Sequence, residues 1–131
     1  MSSRQSIRLH VFLPGYSPMH EFNVCQSIID SVKEHVTGNG RSVKKTIVVI
    51  GALRPIVSEY LTFAYAYLTK GTVAEGSELI IKRPHAQGKC SRCGTKNEVA
   101  DTLFRCGQCG ETKGEIFGGR ELYIDYIELH E

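Results

Sequence analysis

Four cysteines in two matched pairs, Cys90-Ser91-Arg92-Cys93 and Cys106-Gly107-Gln108-Cys109, are the residues whose type and spacing most directly imply chemistry. A Cys-x2-Cys turn can aim two thiolates at one ion. Each pair is followed by a glycine, Gly94 or Gly110, able to take the positive φ that tight knuckles often need. Four soft thiolates in a tetrahedral array suit zinc. The competing readings are reduced pairs without metal, a disulfide set and a redox dithiol. No histidine lies between Cys90 and Cys109, so an all-sulfur site would be closed to substrate water, which marks a structural metal. Zinc would then supply folding energy on the order of 10 kcal/mol to a segment whose large aromatics are Phe104 and Phe117. An odd cysteine total of five, with no apolar run long enough for a secretory segment, points to the reducing cytoplasm.

Charge narrows the partners. Sixteen Lys and Arg against fourteen Asp and Glu leave +2 over 131 residues, too little for a general grip on nucleic acid. Within the cysteine segment the signs alternate, with no basic stripe interleaved with aromatics. A nucleic-acid-binding or protein-interaction zinc ribbon is nevertheless the rival reading from another class, and a redox enzyme using Cys106 and Cys109 is a second. The sequence contains no phosphate loop, no Gly-x-Ser-x-Gly and no His-Glu-x2-His, so an enzyme is not expected. No stretch approaches the length of a membrane-spanning helix.

The elements that must position these residues follow from periodicity. Ile7, Leu9 and Val11 alternate with Arg8 and His10, compatible with a short strand, before Pro14-Gly15 and Ser17-Pro18 interrupt it; residues 1–18 are treated as an extension. Phe22, Cys25, Ile29, Val32 and Val36 recur at helical steps, with Cys25 as a small buried hydrophobe, until Thr37-Gly38-Asn39-Gly40 stops the helix. A strand follows over about 42–53, buried on both faces around Ile47-Val48-Val49-Ile50. A second helix opens at Pro55 and carries Val57, Tyr60, Leu61, Ala64, Tyr67 and Leu68 as its core stripe, ending at Lys70-Gly71. Strands over 79–82 and 121–129 flank the cysteine segment, the latter with a parity change near Tyr126 that calls for a bulge or strand end. The expected fold is α/β: a small sheet of about three strands with two helices, plus an inserted zinc-ribbon module.

These residues carry a resemblance. Met19-His20-Glu21 opening a helix, Gly51-Ala52-Leu53 before Val57-Ser58-Glu59, Leu61-x-Phe63-Ala64, Gly71-Thr72, Glu75-Gly76, the four-cysteine ribbon and Gly119-x-Glu121-Leu122 together resemble the HypA/HybF family. Its members are nickel metallochaperones of nickel-iron hydrogenase maturation. The resemblance runs from Met19 to the C-terminus and leaves residues 1–18 outside it. It implies a nickel-binding α/β domain over 19–84 with 120–131, and a zinc-binding domain over 85–119 whose ligands are Cys90, Cys93, Cys106 and Cys109.

Nickel(II), as transferred cargo, is implied to bind at His20 and Glu21 with backbone nitrogens near Met19. The chemistry is coherent: the Nδ1 and backbone nitrogen of one histidine close a chelate ring, and first-turn amides lack helical partners. By the same resemblance the partners are the HypB GTPase and the nickel-iron hydrogenase large-subunit precursor, with urease as a further client. The protein is expected as a cytoplasmic monomer or weak homodimer. Family chains begin at the methionine, whereas here Pro18 precedes Met19 and turns an amine into an amide. The expectation adopted is that translation starts at Met19 and the first eighteen residues are an upstream addition.

Overall fold

A computed structural model describes residues 5–12, 21–36, 41–99 and 103–130. In chain order the elements are β1 (Gln5–Phe12), α1 (Glu21–Val36), β2 (Val43–Ile50), α2 (Ser58–Leu68), β3 (Glu78–Lys82), β4 (Ala86–Cys90), β5 (Lys96–Val99), β6 (Gly114–Phe117) and β7 (Leu122–Leu129). They divide between two compact units. The first comprises Met1–Val49, Ile56–Ile81 and Leu122–Glu131, the second Ile50–Pro55 and Lys82–Glu121.

The first unit is a sheet with two helices. Strand order is β1-β7-β2-β3, so the strands that flank the cysteine segment share one sheet, as expected, but β2 lies between them. The long apolar run of β2 explains its interior place: Thr46 through Ile50 are all buried. The fourth strand comes from the N-terminal stretch. β1 pairs antiparallel with β7, from Gln5 opposite Leu129 to Phe12 opposite Tyr123. The register shifts where Arg8 to Val11 faces Tyr126 to Ile124. Three steps on β1 thus face two on β7, which places the bulge at the parity change in β7 but on the partner strand.

Helix α1 buries Val24, Cys25, Ile28, Ile29, Val32 and Val36. Phe22, assigned to that stripe from the sequence, is instead exposed. At 100° per residue it sits about 80° from the centre of the buried arc, beyond its edge. Burial pushes the Cys25 thiol up to about 12, so it stays protonated and inert.

Helix α2 shows a larger departure. It begins at Ser58, three residues after Pro55, and buries Leu61, Ala64 and Tyr65 while Val57, Tyr60 and Tyr67 are exposed. The i, i+3, i+4 set centred on Leu61 faces the core, and Tyr60 and Tyr67 lie about 100° or more away from it. Tyr65 is the polar fastener of this unit. Its hydroxyl lies 2.9 Å from Thr46 Oγ1 on β2 and 2.6 Å from Ser77 Oγ ahead of β3. Thr46 is fully buried, so this hydroxyl pair satisfies a group that would otherwise be costly. Tyr65→Phe is expected to destabilise the protein by about 1–2 kcal/mol, chiefly by leaving the buried Thr46 hydroxyl without this partner, since Ser77 Oγ also donates to Ala74 O. A urea unfolding curve whose midpoint matches wild type would contradict that account.

The second unit is a three-stranded sheet of order β5-β4-β6. Residues 51–53, expected as the end of the β2 strand, belong here instead. Gly51 N and Leu53 N donate to Glu121 O and Gly119 O, and Ala52 N donates to Pro84 O, each at 2.8 Å. The backbones approach so closely that a Cβ on Gly51 would fall 2.1 Å from the Gly119 carbonyl, which only glycine can accommodate.

Candidate metal centre

Phe104 organises the apolar side of the second unit. It packs with Ala86, Cys90, Val99 and Cys106, with Leu53 and Ile116 at the margin. Gly88 on β4 and Gly114 on β6 leave the space for its ring: a Cβ on either would meet ring carbons at 2.5 Å. The missing side chains of two neighbouring strands are thus replaced by one aromatic from the loop between β5 and β6.

The two knuckles stand at matched places in this frame. The first leaves the end of β4 at Cys90 and the second precedes β6. In each, the amide of the following glycine closes the turn, Gly94 N to Cys90 O at 3.0 Å and Gly110 N to Cys106 O at 2.9 Å. Both glycines have positive φ, 74° and 78°, as their position after a Cys-x2-Cys turn requires. Each first cysteine amide donates to a carbonyl beyond its turn, Cys90 N to Thr95 O at 3.0 Å and Cys106 N to Glu111 O at 2.8 Å.

The result brings Cys90, Cys93, Cys106 and Cys109 together, their sulfurs all within 4.8 Å of one another. Cys90 to Cys109 and Cys93 to Cys106 are each 3.6 Å. A tetrahedral ion with metal–sulfur bonds of about 2.3 Å holds its sulfurs roughly 3.8 Å apart, so the donor set fits zinc. Amides also aim at the sulfurs. Arg92 N and Cys93 N donate to Cys90 Sγ at 3.4 and 3.5 Å, and Gln108 N donates to Cys106 Sγ at 3.4 Å. Such donors favour thiolate over thiol.

Two neighbours of the sulfurs escaped the sequence reading. Asn97 on β5 sends Nδ2 to Cys106 Sγ at 3.6 Å while its Oδ1 accepts from Gly107 N at 3.0 Å. Thr95 Oγ1 lies 3.1 Å from Cys93 Sγ. Neither has a spacing signature: Asn97 is placed by β5, and Thr95 by the turn that precedes that strand.

The thiols differ in acidity. The amide of Cys109 does most to hold Cys106 down to about 6; burial opposes it, and the Gln108 amide, Asn97 and Cys93 add to the lowering. Cys93 is lowered by Thr95, first by its hydroxyl and then by its amide. For Cys109 the amide of Glu111 pulls downward, but burial and the three neighbouring sulfurs outweigh it and push the thiol up to about 12. Four sulfurs this close become four thiolates only around a cation.

Of the residues implied for nickel, Met19 and His20 lie outside the described residues. Glu21 opens α1, and its Oε2 accepts a hydrogen bond from Val57 N at 2.9 Å. Val57 is the N-cap of α2 and supplies no side-chain cap of its own, so the carboxylate meets the positive end of a second helix.

A mixed α/β unit joined in one chain to a tetrathiolate ribbon defines a small metal-binding protein of zinc-ribbon type. More particularly, the chain belongs to the HypA family, described as hydrogenase/urease nickel incorporation, metallochaperone, which matches residues 19–129. Relatives include the hydrogenase maturation factor HypA of Caldanaerobacter subterraneus subsp. tengcongensis, 41% identical over 114 residues, covering 85% of this chain and 99% of that one. The hydrogenase maturation factor HypA of Aquifex aeolicus is 32% identical over 112 residues, covering 85% and 97%. In fold, the chain is similar to the solution structure of the Ni metallochaperone HypA from Helicobacter pylori, with TM-score 0.55 at 20% identity over 85% of this chain and 97% of that one. A second HypA solution structure gives 0.59 at 21% over 87% and 98%.

Zinc affinity is expected to fall with falling pH, because binding displaces thiol protons. Where the metal-free site keeps this geometry, Cys106 is already ionised above about 6 and releases none. Below that value one further proton must leave, so the slope of log affinity against pH steepens by about one. Chelator competition between roughly pH 5 and 8 reads this directly, and an affinity flat over that range would exclude thiol ligation.

Proposed function

We propose that this protein binds nickel(II) and delivers it during maturation of nickel-iron hydrogenase, with urease as a further client, while a structural zinc held by Cys90, Cys93, Cys106 and Cys109 shapes a docking face. The observation that carries this reading is the family match, which begins at Met19, the first residue of Met19-His20-Glu21. The chemistry separates the two metals. The sulfur set is closed and soft, suited to an ion that stays. A motif of imidazole, carboxylate and first-turn amides offers the nitrogen-rich set that suits nickel(II) and lets it leave.

Glu21 is compatible with both a structural and a ligating role. Accepting the Val57 amide uses one of roughly four lone-pair positions on a carboxylate, and its negative charge offsets the helix dipoles that would oppose a cation. The α/β domain would thus be the nickel domain and residues 85–119 the zinc domain. The protein would act in the cytoplasm without catalysis of its own, receiving its energy step from the HypB GTPase and passing nickel to the hydrogenase large-subunit precursor. Among the described residues no helix is long and apolar enough to cross a membrane.

A nickel titration of zinc-loaded protein tests the proposal. Wild type is expected to bind one nickel per chain, with a planar-nitrogen absorption spectrum. His20→Ala should weaken nickel binding by more than about tenfold, since losing even an outer-shell partner costs that much at many sites, and its zinc content should be unchanged. Equal binding by the two proteins would remove His20 from the site. Zinc loss from His20→Ala would show that the two metals are not held separately.

A further inference from the structure

Strand β6 is an edge of the second unit's sheet: among the described residues it pairs with β4 alone, while β5 covers the far side of β4. Bonded and non-bonded pairs alternate along an antiparallel ladder. Ser91 N donates to Lys113 O at 3.1 Å, so the backbones of Lys113, Glu115 and Phe117 turn toward β4, and those of Gly114 and Ile116 turn away from it. Neither Gly114 nor Ile116 bonds elsewhere through its backbone among the described residues. The edge therefore presents the N–H and C=O groups of both in strand geometry, with no proline or register shift to interrupt them.

Two hollows adjoin this edge, and Ile116 lines both. The one toward the start of the strand, about 590 Å³, is also lined by Leu103, Arg105 and Lys113; the one toward its end, about 400 Å³, by Leu53, Phe117 and the opposed charges of Arg120 and Glu121. Leu103 is 81% exposed, so the first hollow carries apolar surface that a ligand can still bury. The Arg105 and Lys113 side chains, also exposed, have no ion-pair partner among the described residues. Of the acids nearby, Glu111 Oε1 accepts from the Thr112 and Lys113 amides, and Glu115 stands across from Lys89 on β4. The first hollow is thus basic and the second balanced.

When a strand is added to a sheet, bare backbone gives affinity and side-chain hollows give selectivity. We propose that β6 docks an extended segment of a partner protein, antiparallel to it, carrying two apolar residues at alternate positions and an acid two residues after the second. Alternate side chains of such a segment lie about 7 Å apart on one face. In this register the first apolar residue lies opposite Ile116. The second lies opposite Gly114, where the glycine leaves the Phe104 ring as the neighbouring surface. The acid then lies opposite Thr112, at the hollow that Arg105 and Lys113 line. The inference rests on the reading of the zinc module as a docking face and supplies the chemistry of what docks there.

The probe is the end-capped peptide Thr-Ile-Thr-Val-Thr-Glu-Glu, titrated into the zinc-loaded full chain and followed by the amide resonances of Gly114 and Ile116. Binding is expected with a dissociation constant on the order of 100 µM, because a short flexible probe must be ordered to bind. N-methylation of the probe's valine, whose N–H faces β6, should weaken binding by about tenfold or more. N-methylation of the threonine just before it, whose N–H faces away, should change binding by less than about twofold. Exchanging both probe glutamates for lysine should weaken binding about tenfold, and the double variant Arg105→Glu, Lys113→Glu should reverse that preference. Both positions are exposed, retained zinc verifies that the variant folds, and the methylation pair uses the unaltered chain. Absence of binding, equal loss from the two methylations, or indifference to the charge exchange overturns the inference. Slow exchange of the Gly114 and Ile116 amides in the probe-free chain would show the edge already covered and overturn it as well. His20→Ala is expected to bind the probe as wild type does, so failure of the nickel reading and failure of this one are separate results.

Discussion

Crowding of sulfur is the constraint on which the second unit depends. Four cysteine sulfurs within 4.8 Å of one another can all be thiolates only if a cation lies among them, and as thiols they gain little from being so close. The raised Cys109 and the lowered Cys106 are two sides of that competition. Among the described residues, the apolar cluster beside the sulfurs is Phe104 with Ala86, Val99 and the partly buried Leu53 and Ile116, a core too small to impose the geometry alone. Metal coordination and Phe104 packing support the same frame from two sides, because Cys90 and Cys106 are both members of the Phe104 cluster.

The first unit rests on a different balance. Its core is mostly aliphatic, built from the α1 stripe, the β2 run and the inner residues of β7, with Tyr65 as the largest fully buried side chain. Its polar fasteners are few and specific. Tyr65 joins α2, β2 and the approach to β3 through hydroxyl contacts, and Glu21 joins the start of α1 to the start of α2. One chain thus combines a unit stabilised by hydrophobic burial with a unit stabilised by coordination, which is how a protein of 131 residues can carry two.

Where the sequence was informative, strong local chemistry was the reason. The knuckles were readable because a Cys-x2-Cys turn followed by glycine has few alternative conformations, and Gly94 and Gly110 do adopt positive φ. β2 was readable because five consecutive β-branched residues, Thr46 to Ile50, leave little choice. The α2 stripe was misassigned because Tyr60 and Tyr67 are as apolar in pattern as Leu61, and periodicity does not say which of two apolar faces meets a sheet. The destination of residues 51–53 was hidden for a related reason. They continue the strand pattern of β2, but their backbone partners, residues 119–121 and Pro84, are distant in sequence and leave no local signal. Asn97 and Thr95 were missed because a sulfur's outer neighbours are set by strand register and not by spacing.

Glu21 shows how one acidic residue can serve two helix ends. A carboxylate at the first turn of α1 already offsets that helix's own partial positive charge, and by accepting the Val57 amide it also meets the N-terminus of α2, where no side chain of Val57 can cap. Two helix ends directed at one carboxylate would repel a metal ion if the acid were absent. With the acid present their field is spent on holding it in place, and its charge becomes a fixed feature beside the residues that precede α1. A carboxylate held by the fold is positioned before any cation arrives, so a cation would not have to order it. Under the proposed nickel role, that preorganisation would lower the entropic cost of ligation at this carboxylate, whereas the sulfur set of the second unit gains its order from the metal itself.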